Sequence, residues 1–379
     1  SVSSCVVILR TFVNVLVISV CLRYVCYFFF FLMIRLPPRS TQSRSSAASD
    51  VYKRQVFDLP SLDPGAFDDK PMRPYNVGPN GLLINFQSLR FTLLPGAGRP
   101  QVVMETPSEG LRVDNQLRAG DGGCGSNGKD FINVRLIPEN NGNRLEFSGT
   151  YSAQCGEKAL NLAPLPADAQ AGGLIRALWQ ELGGTLTGQV RGGTTPAGAR
   201  PLAEHESPAL ADAVRDINKF SNNVMAQQVF LTLGLEMGGI GSADAARAAL
   251  QTWWTRRMGA AAMPVFDNGA GLSRDARISA DSLARMLQRA WASPVMPELM
   301  ASLPIVGIDG TLRRSQSRAV GSAHLKTGSL QDVLAIAGYV LGDDGRRWVL
   351  VALVNHERAA AARPALDALI DWTRSANQP

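Results

Sequence analysis

The residues best suited to chemistry lie in His324-Leu325-Lys326-Thr327-Gly328-Ser329-Leu330-Gln331, directly ahead of the apolar run Val333-Leu334-Ala335-Ile336-Ala337-Gly338-Tyr339-Val340. A lysine, a hydroxyl and a glycine before a β-prone segment read as an edge strand whose bare backbone faces an anionic group. Lys326 supplies a fixed positive charge there. Thr327 and Ser329 donate hydrogen bonds to a carboxylate, and Gly328 has no side chain to hold a ligand's backbone away. Three such residues alone also describe an ordinary strand start with a solvated lysine. A second constellation stands upstream, in Ile217-Asn218-Lys219-Phe220-Ser221-Asn222-Asn223-Val224-Met225. Its Ser221-x-Asn223, at a loop-to-helix transition, sets a hydroxyl and an amide into one cleft, where they relay a proton and hold a substrate amide. Read in isolation, Ser221 is a helix N-cap.

Ser-x-Asn followed by Lys-Thr-Gly gives two of three elements shared by penicillin-binding proteins and class A β-lactamases. The chain resembles the class C low-molecular-mass penicillin-binding proteins, which are D-alanyl-D-alanine carboxypeptidases and endopeptidases. Asp267-Asn268-Gly269-Ala270-Gly271-Leu272-Ser273-Arg274 is similar to the family's Asp-Gly-Ser-Gly-Leu-Ser-Arg segment, departing from it at Asn268 and Ala270. Pro304-Ile305-Val306-Gly307-Ile308-Asp309-Gly310-Thr311-Leu312 is similar to its Pro-x-Ala-Gly-x-Asp-Gly-Thr-Leu segment.

The resemblance implies an α+β penicillin-binding/β-lactamase-like transpeptidase fold, an antiparallel sheet with helices that carries β-rich insertion domains. It implies a serine-type enzyme acting through an acyl-enzyme on peptidoglycan stem peptides ending in D-Ala-D-Ala, sensitive to β-lactam antibiotics, and periplasmic or exported at the cell envelope. By position, Ser221 shuttles a proton to the leaving amine and Asn223 holds the substrate amide. Lys326, Thr327 and Ser329 hold the terminal carboxylate, and Gly328 allows a strand-like approach. Arg274 and Gln331 become candidate contacts to the peptide stem, although the residues alone describe Arg274 equally well as a surface cation. No cofactor is implied.

The family's nucleophile lies in a Ser-x-x-Lys motif, where i to i+3 spacing puts serine and base on one helix face. The chain is expected to be N-terminally truncated and to lack it. A literal match, Ser126-Asn127-Gly128-Lys129, is flanked by Gly122-Gly123-Cys124-Gly125 and Asp130 and reads as a surface turn. The competing readings are a non-catalytic peptidoglycan-binding fragment or relative and a class A β-lactamase. The latter calls for an acidic deacylating residue between the two motifs and no β-rich insertion before Ser-x-Asn.

The elements that must position these groups divide the chain at residues 1–55, 56–202 and 203–379. In the middle part, Leu82–Phe86, Leu89–Leu93, Gln101–Met104, Phe131–Ile137 and Arg144–Tyr151 are short apolar or alternating runs between Gly, Pro and Asn clusters, as in a β-rich domain. Ala171–Leu182 is an amphipathic helix striped with Leu174, Leu178, Trp179 and Leu182, and Thr185–Arg191 a returning strand. Beyond Pro208 come helices at Ala209–Ile217, Val224–Leu235, Ala243–Met258 and from Ser279 to Ala292. A hairpin of Ala335–Leu341 and Arg347–Val354 turns at Gly342-Asp343-Asp344-Gly345, and a last helix, Arg363–Ala376, presents Leu366, Leu369, Ile370 and Trp372 to the sheet.

Residues 1–55 read differently. Their apolar runs are broken by Arg10 and Arg23, short of a membrane span, and no small-residue cleavage site follows. Asp50-Val51-Tyr52-Lys53-Arg54-Gln55 resembles the translation of a transposase-end sequencing adapter, so a non-native leader joined to a reading frame beginning near Val56 is expected. No stable membrane span is expected in the native part. Much of the net charge of +6 sits in this leader, and no basic block with interleaved aromatics points to nucleic acid. The three histidines, His205, His324 and His356, have no metal-ligand spacing, so no metal is expected. Outside the leader, Cys124 and Cys155 are either a disulfide or two unrelated thiols, depending on compartment. The periplasmic setting of the resembled family implies the bridge.

Overall fold

The computed structural model describes residues 57–58, 62–96, 98–121, 123–124, 131–186, 207–259 and 262–375, together with the backbone of two strands, β1 (Cys5–Arg10) and β2 (Asn14–Val20). The chain forms two compact units. One takes in the described residues of 1–45, 56–59 and 205–379, the other those of 46–55 and 60–204. Among the described residues no helix is long and apolar enough to cross a membrane.

Among the described residues, the second unit has six strands, β3 (Leu89–Leu94), β4 (Gln101–Met104), β5 (Leu111–Gly120), β6 (Ile132–Glu139), β7 (Gly142–Ser152) and β8 (Lys158–Leu162), and one α-helix, α1 (Ala167–Glu181). They make two three-stranded sheets, ordered β4-β3-β8 and β5-β7-β6. Leu89, Phe91 and Leu93 of one sheet and Leu117, Leu145, Phe147 and Tyr151 of the other share a core. Alternation on β3 supplies that apolar face, while β5 shows little alternation. It pairs parallel to β7 and carries Asp114, which accepts a 2.8 Å ion pair from Arg144. That polarity hid β5 from a reading based on apolar period.

Two expectations in this unit are corrected. Leu82–Phe86 is no strand: Ile84–Gln87 is a tight turn in which Asn85, Phe86 and Gln87 take φ of 48°, 54° and 54°, and Asn85 Nδ2 closes it on the Ser88 carbonyl at 2.7 Å. An extended chain is incompatible with those angles. The stripe on α1 faces outward, with Leu178, Trp179 and Leu182 exposed. Its buried face is Gln170-Ala171-Gly172-Gly173, because a Cβ at Gly173 would stand 2.6 Å from the Glu109 carbonyl oxygen and only a bare backbone fits so close. Thr185 and Leu186 are irregular, and the rest of the expected strand after α1 lies outside the described residues, as does Ser126–Lys129.

Cys124 and Cys155 form a disulfide with Cα atoms 5.2 Å apart, spanning a sequence separation of 31. Closing a loop of that length restricts the unfolded chain by roughly 3–4 kcal/mol in the entropic account. The double variant Cys124→Ser/Cys155→Ser is therefore expected to lose about 2–4 kcal/mol in urea unfolding. Equal unfolding midpoints would show that the bridge does not stabilise the fold.

In the first unit, α2 (Leu210–Phe220), α3 (Asn223–Gly238), α4 (Ala243–Met258), α5 (Ala280–Trp291) and α6 (Met296–Ser302) precede β9 (Ala323–Ser329), β10 (Val333–Leu341) and β11 (Arg347–Asn355), and α7 (Arg363–Ser375) ends the unit. The sheet runs β1-β2-β11-β10-β9, so β9 is an edge. The expected leader contributes β1 and β2 at the far end, with β2 parallel to β11.

Helices cover both faces, which is why β10 is one continuous apolar run. Ala335, Ala337 and Tyr339 pack with Trp254 of α4 and Leu283, Met286 and Leu287 of α5. Leu334, Ile336 and Val340 pack with Leu366 and Ile370 of α7. Ser279 caps α5, its Oγ accepting from Ser282 N at 3.0 Å. Trp372, expected against the sheet, is exposed instead, because Leu366 and Ile370 already fill the buried stripe of α7.

Candidate active site

Ser221 is the C-cap of α2, not an N-cap: it takes the left-handed conformation, φ 56° and ψ 46°, that ends one helix and lets the next begin at once. The N-cap of α3 is Asn222, whose Oδ1 accepts from Met225 N at 3.0 Å. A non-glycine residue in this region costs of order 1 kcal/mol and persists only where its surroundings hold it. Here the hold is visible, since Asn222 N donates to the Ile217 carbonyl at 3.1 Å and Lys326 Nζ donates to Ser221 Oγ at 2.9 Å.

Lys326 sits on the edge strand as expected, and it is not the solvated lysine of an ordinary strand start. It is only 2% exposed and also donates to the Thr327 carbonyl at 2.8 Å. Burial pushes its pKa down to about 7, so at neutral pH it exchanges a proton easily instead of standing as a fixed charge.

Asn223 opens α3, and its Nδ2 donates to the Ala270 carbonyl at 2.6 Å, which orients the amide and leaves Oδ1 as its acceptor end. The segment that supplies this carbonyl is the Asp267–Arg274 loop. Asn268 closes it through Oδ1 to Ala270 N and Nδ2 to Leu272 O, at 2.9 and 3.0 Å, and Gly269 and Gly271 take positive φ. A Cβ on Gly269 would meet Phe230 at 2.4 Å, so the loop lies flat against α3.

Thr327 Oγ1 lies 2.7 Å from Thr311 Oγ1, which brings the Pro304–Leu312 segment to β9 and adds a hydroxyl to which the sequence alone gives no role. Gly328 pairs with Ala335, and a Cβ there would make only an ordinary 3.5 Å contact with the Ala335 Cβ. The fold itself therefore leaves room for a side chain at residue 328. Ser329 is exposed at the end of β9. Arg274 Nη1 forms a 3.3 Å ion pair with Asp332 in the turn after β9, where Gln331 is exposed. The structure thus unites Ser221 with Lys326, ties Asn223 to the Asp267–Arg274 loop, and pairs Arg274 with Asp332, the residue after Gln331, in the turn beyond β9. Among the described residues no cluster of His, Cys, Asp and Glu is arranged to hold a metal.

Residues 49–376 match the D-Ala-D-Ala carboxypeptidase 3 (S13) family. The chain belongs to this family. It is 31% identical over 278 residues to a D-alanyl-D-alanine carboxypeptidase of Actinomadura sp. (strain R39), covering 70% of this chain and 50% of that protein. It is 24% identical over 258 residues to D-alanyl-D-alanine carboxypeptidase DacB of Haemophilus influenzae, covering 65% of this chain and 51% of that protein. The fold is that of the crystal structure of penicillin binding protein 4 (dacB) from Haemophilus influenzae, with a TM-score of 0.65 at 21% identity over 84% of this chain and 73% of that one. The chain spans about half the length of the curated relatives it matches.

Proposed function

We propose that this chain carries the proton-relay and substrate-holding half of a serine-type D-Ala-D-Ala carboxypeptidase or endopeptidase that acts on peptidoglycan stem peptides through an acyl-enzyme and is sensitive to β-lactams. The observation that carries the reading is the 2.9 Å contact between Lys326 Nζ and Ser221 Oγ. A serine hydroxyl bonded to a lysine that titrates near neutrality is a relay: as the scissile C–N bond breaks, Ser221 gives its proton to the departing amine and Lys326 replaces it. Asn223 Oδ1 accepts from the substrate amide N–H. The acylated serine belongs to a Ser-x-x-Lys segment, whose lysine takes the serine proton as the new C–O bond forms.

A ligand carboxylate drawn toward β9 favours the protonated form of Lys326, so the lysine becomes a cation when the anion arrives. The hydroxyls of Thr327 and Ser329 and the edge backbone complete the wall. Arg274 and Gln331 are assigned to the peptide stem. The disulfide supports an oxidising, exported location.

The test uses the protein with its upstream Ser-x-x-Lys segment in place and follows acylation by a fluorescent penicillin. Gly328→Ala is the informative variant, because the fold has room for the methyl. Its melting temperature is expected to stay within about 2 °C of the parent, while acylation slows by roughly tenfold or more as the ligand is held off the strand. Unchanged acylation would contradict an approach along β9.

A further inference from the structure

Lys219 is 8% exposed, yet none of the steps above uses it. Its Nζ donates to Asp309 Oδ2 at 2.6 Å and to the Leu303 carbonyl at 2.6 Å, and Asp309 Oδ1 accepts from Ile305 N at 2.8 Å. Beside it, Asn218 Nδ2 donates to Ser302 Oγ at 2.8 Å, both residues being buried. A charge buried in this way is costly unless its partners hold it well, and an apolar side chain would fill the space at less expense.

What the pair joins suggests why it is charged. Lys219 stands two residues before the left-handed Ser221, at the end of α2. Asp309 belongs to the Pro304–Leu312 segment, which is stitched to β9 on both sides of Lys326: Leu325 N donates to the Pro304 carbonyl at 2.9 Å, Val306 N to the Ala323 carbonyl at 3.0 Å, and Thr311 meets Thr327. Gly310, at φ 56°, sits so close that a Cβ would come within 2.7 Å of the Lys219 carbonyl oxygen. One route from Ser221 to Lys326 that bypasses their own contact therefore runs through Lys219, Asp309 and this segment, beside the longer one through Asn223, the Asp267–Arg274 loop and Asp332.

We propose that the Lys219–Asp309 pair is a positioning clamp that fixes the span between Ser221 and Lys326, so that the relay is assembled before substrate arrives. A directional ion pair sets distance and angle, which apolar packing does not. The proposal rests on the acyl-transfer reading above, and its effect on the reaction passes through Ser221 and Lys326.

The test compares Lys219→Met, Asp309→Asn and the double variant in the protein with its upstream segment, measuring melting temperature, the first-order acylation constant with penicillin, and amide exchange at Asn222. Asp309→Asn strands a buried ammonium and is expected to melt lower than Lys219→Met, because the Lys219 side chain is 11% exposed and that of Asp309 is 37%. The double variant removes both charges and should regain melting temperature relative to Asp309→Asn. Its first-order acylation constant should nevertheless stay about 10–100-fold down, as expected when reacting groups are displaced by about an ångström, and Asn222 should exchange faster. A purely structural pair would let acylation recover along with stability. Wild-type acylation by the folded double variant, with parental exchange at Asn222, would overturn the clamp and leave the functional reading standing. If the parent itself fails to acylate, the functional reading falls, and the Asn222 exchange still decides the clamp: faster exchange in the variants supports it and equal exchange overturns it.

Discussion

Replacing Lys326 by Met in the protein with its upstream segment is expected to slow acylation by D-Ala-D-Ala peptide and by penicillin about 10²–10⁴-fold, the range for losing a positioned proton-transfer group. Met fills the space of the stem but neither exchanges a proton with Ser221 nor answers a carboxylate. Lys326→Arg is expected to recover little, since a planar guanidinium stays charged, needs more room and has no neutral form to cycle through. Lys326→Met should also stabilise the fold. Burial holds the Lys326 pKa at about 7, below its ordinary value of 10.5. Between those values the unfolded chain binds a proton that the native chain lacks, so native stability rises with pH across that window and the cost of burial is complete below pH 7. Lys326→Met removes that cost. Its melting temperature should exceed the parent's at pH 6, by an amount on the order of a few kcal/mol in stability, and the gain should shrink as pH climbs from 7 towards 10. Thermal scans at pH 6 and pH 9.5 check this, and a variant less stable than the parent at both would show that Lys326 is a structural lysine.

The second large effect concerns Gly338, in the middle of β10. It pairs with Leu325 of β9 at φ 153°, and a Cβ added there would lie 2.2 Å from the His324 carbonyl oxygen. That oxygen is backbone and has nowhere to rotate. Gly338→Ala must therefore push β9 outward or break its pairing with β10, at an expected cost of about 3–5 kcal/mol. Because β9 carries Lys326, acylation by whatever fraction remains folded should fall as well. Chemical unfolding combined with penicillin labelling checks both. A variant with parental unfolding midpoint and parental labelling would mean that the Gly338–Leu325 register is wrong.

The site was more legible than the domain that precedes it, for a physical reason. Lys326-Thr327-Gly328 and Ser221-x-Asn223 are short runs of polar types that stand out without knowledge of the fold, and the structure brings Lys326 and Ser221 to 2.9 Å. The helices around them show 3.6-residue periodicity with clear caps, as Ser279 does for α5. In the β-rich unit, β5 alternates poorly because its outward face is bound up in ion pairs such as Arg144–Asp114, and Asn85-Phe86-Gln87 turns where the apolar run alone suggested a strand. Burial was the other invisible quantity. Nothing local to Lys326 says that it is shielded, since the covering residues are remote in sequence, and a strand-edge lysine reads by default as solvated. For the same reason Lys219 and Asp309, ninety residues apart, could not be paired before the fold was known. The outward stripe on α1 failed in the opposite sense: amphipathicity marks an apolar face without saying which face is buried, and two glycines decided it.

The most direct measurement is the intact mass, under denaturing conditions, of the protein with its Ser-x-x-Lys segment in place after incubation with benzylpenicillin, together with assay of D-alanine released from a D-Ala-D-Ala peptide. The account predicts one penicilloyl adduct per chain, competition by the peptide with release of D-alanine, and adduct formation at least about 100-fold slower in Ser221→Ala and Lys326→Met. A folded parent protein that gains no adduct and releases no D-alanine, or adducts forming at equal rates in the parent and both variants, would contradict it.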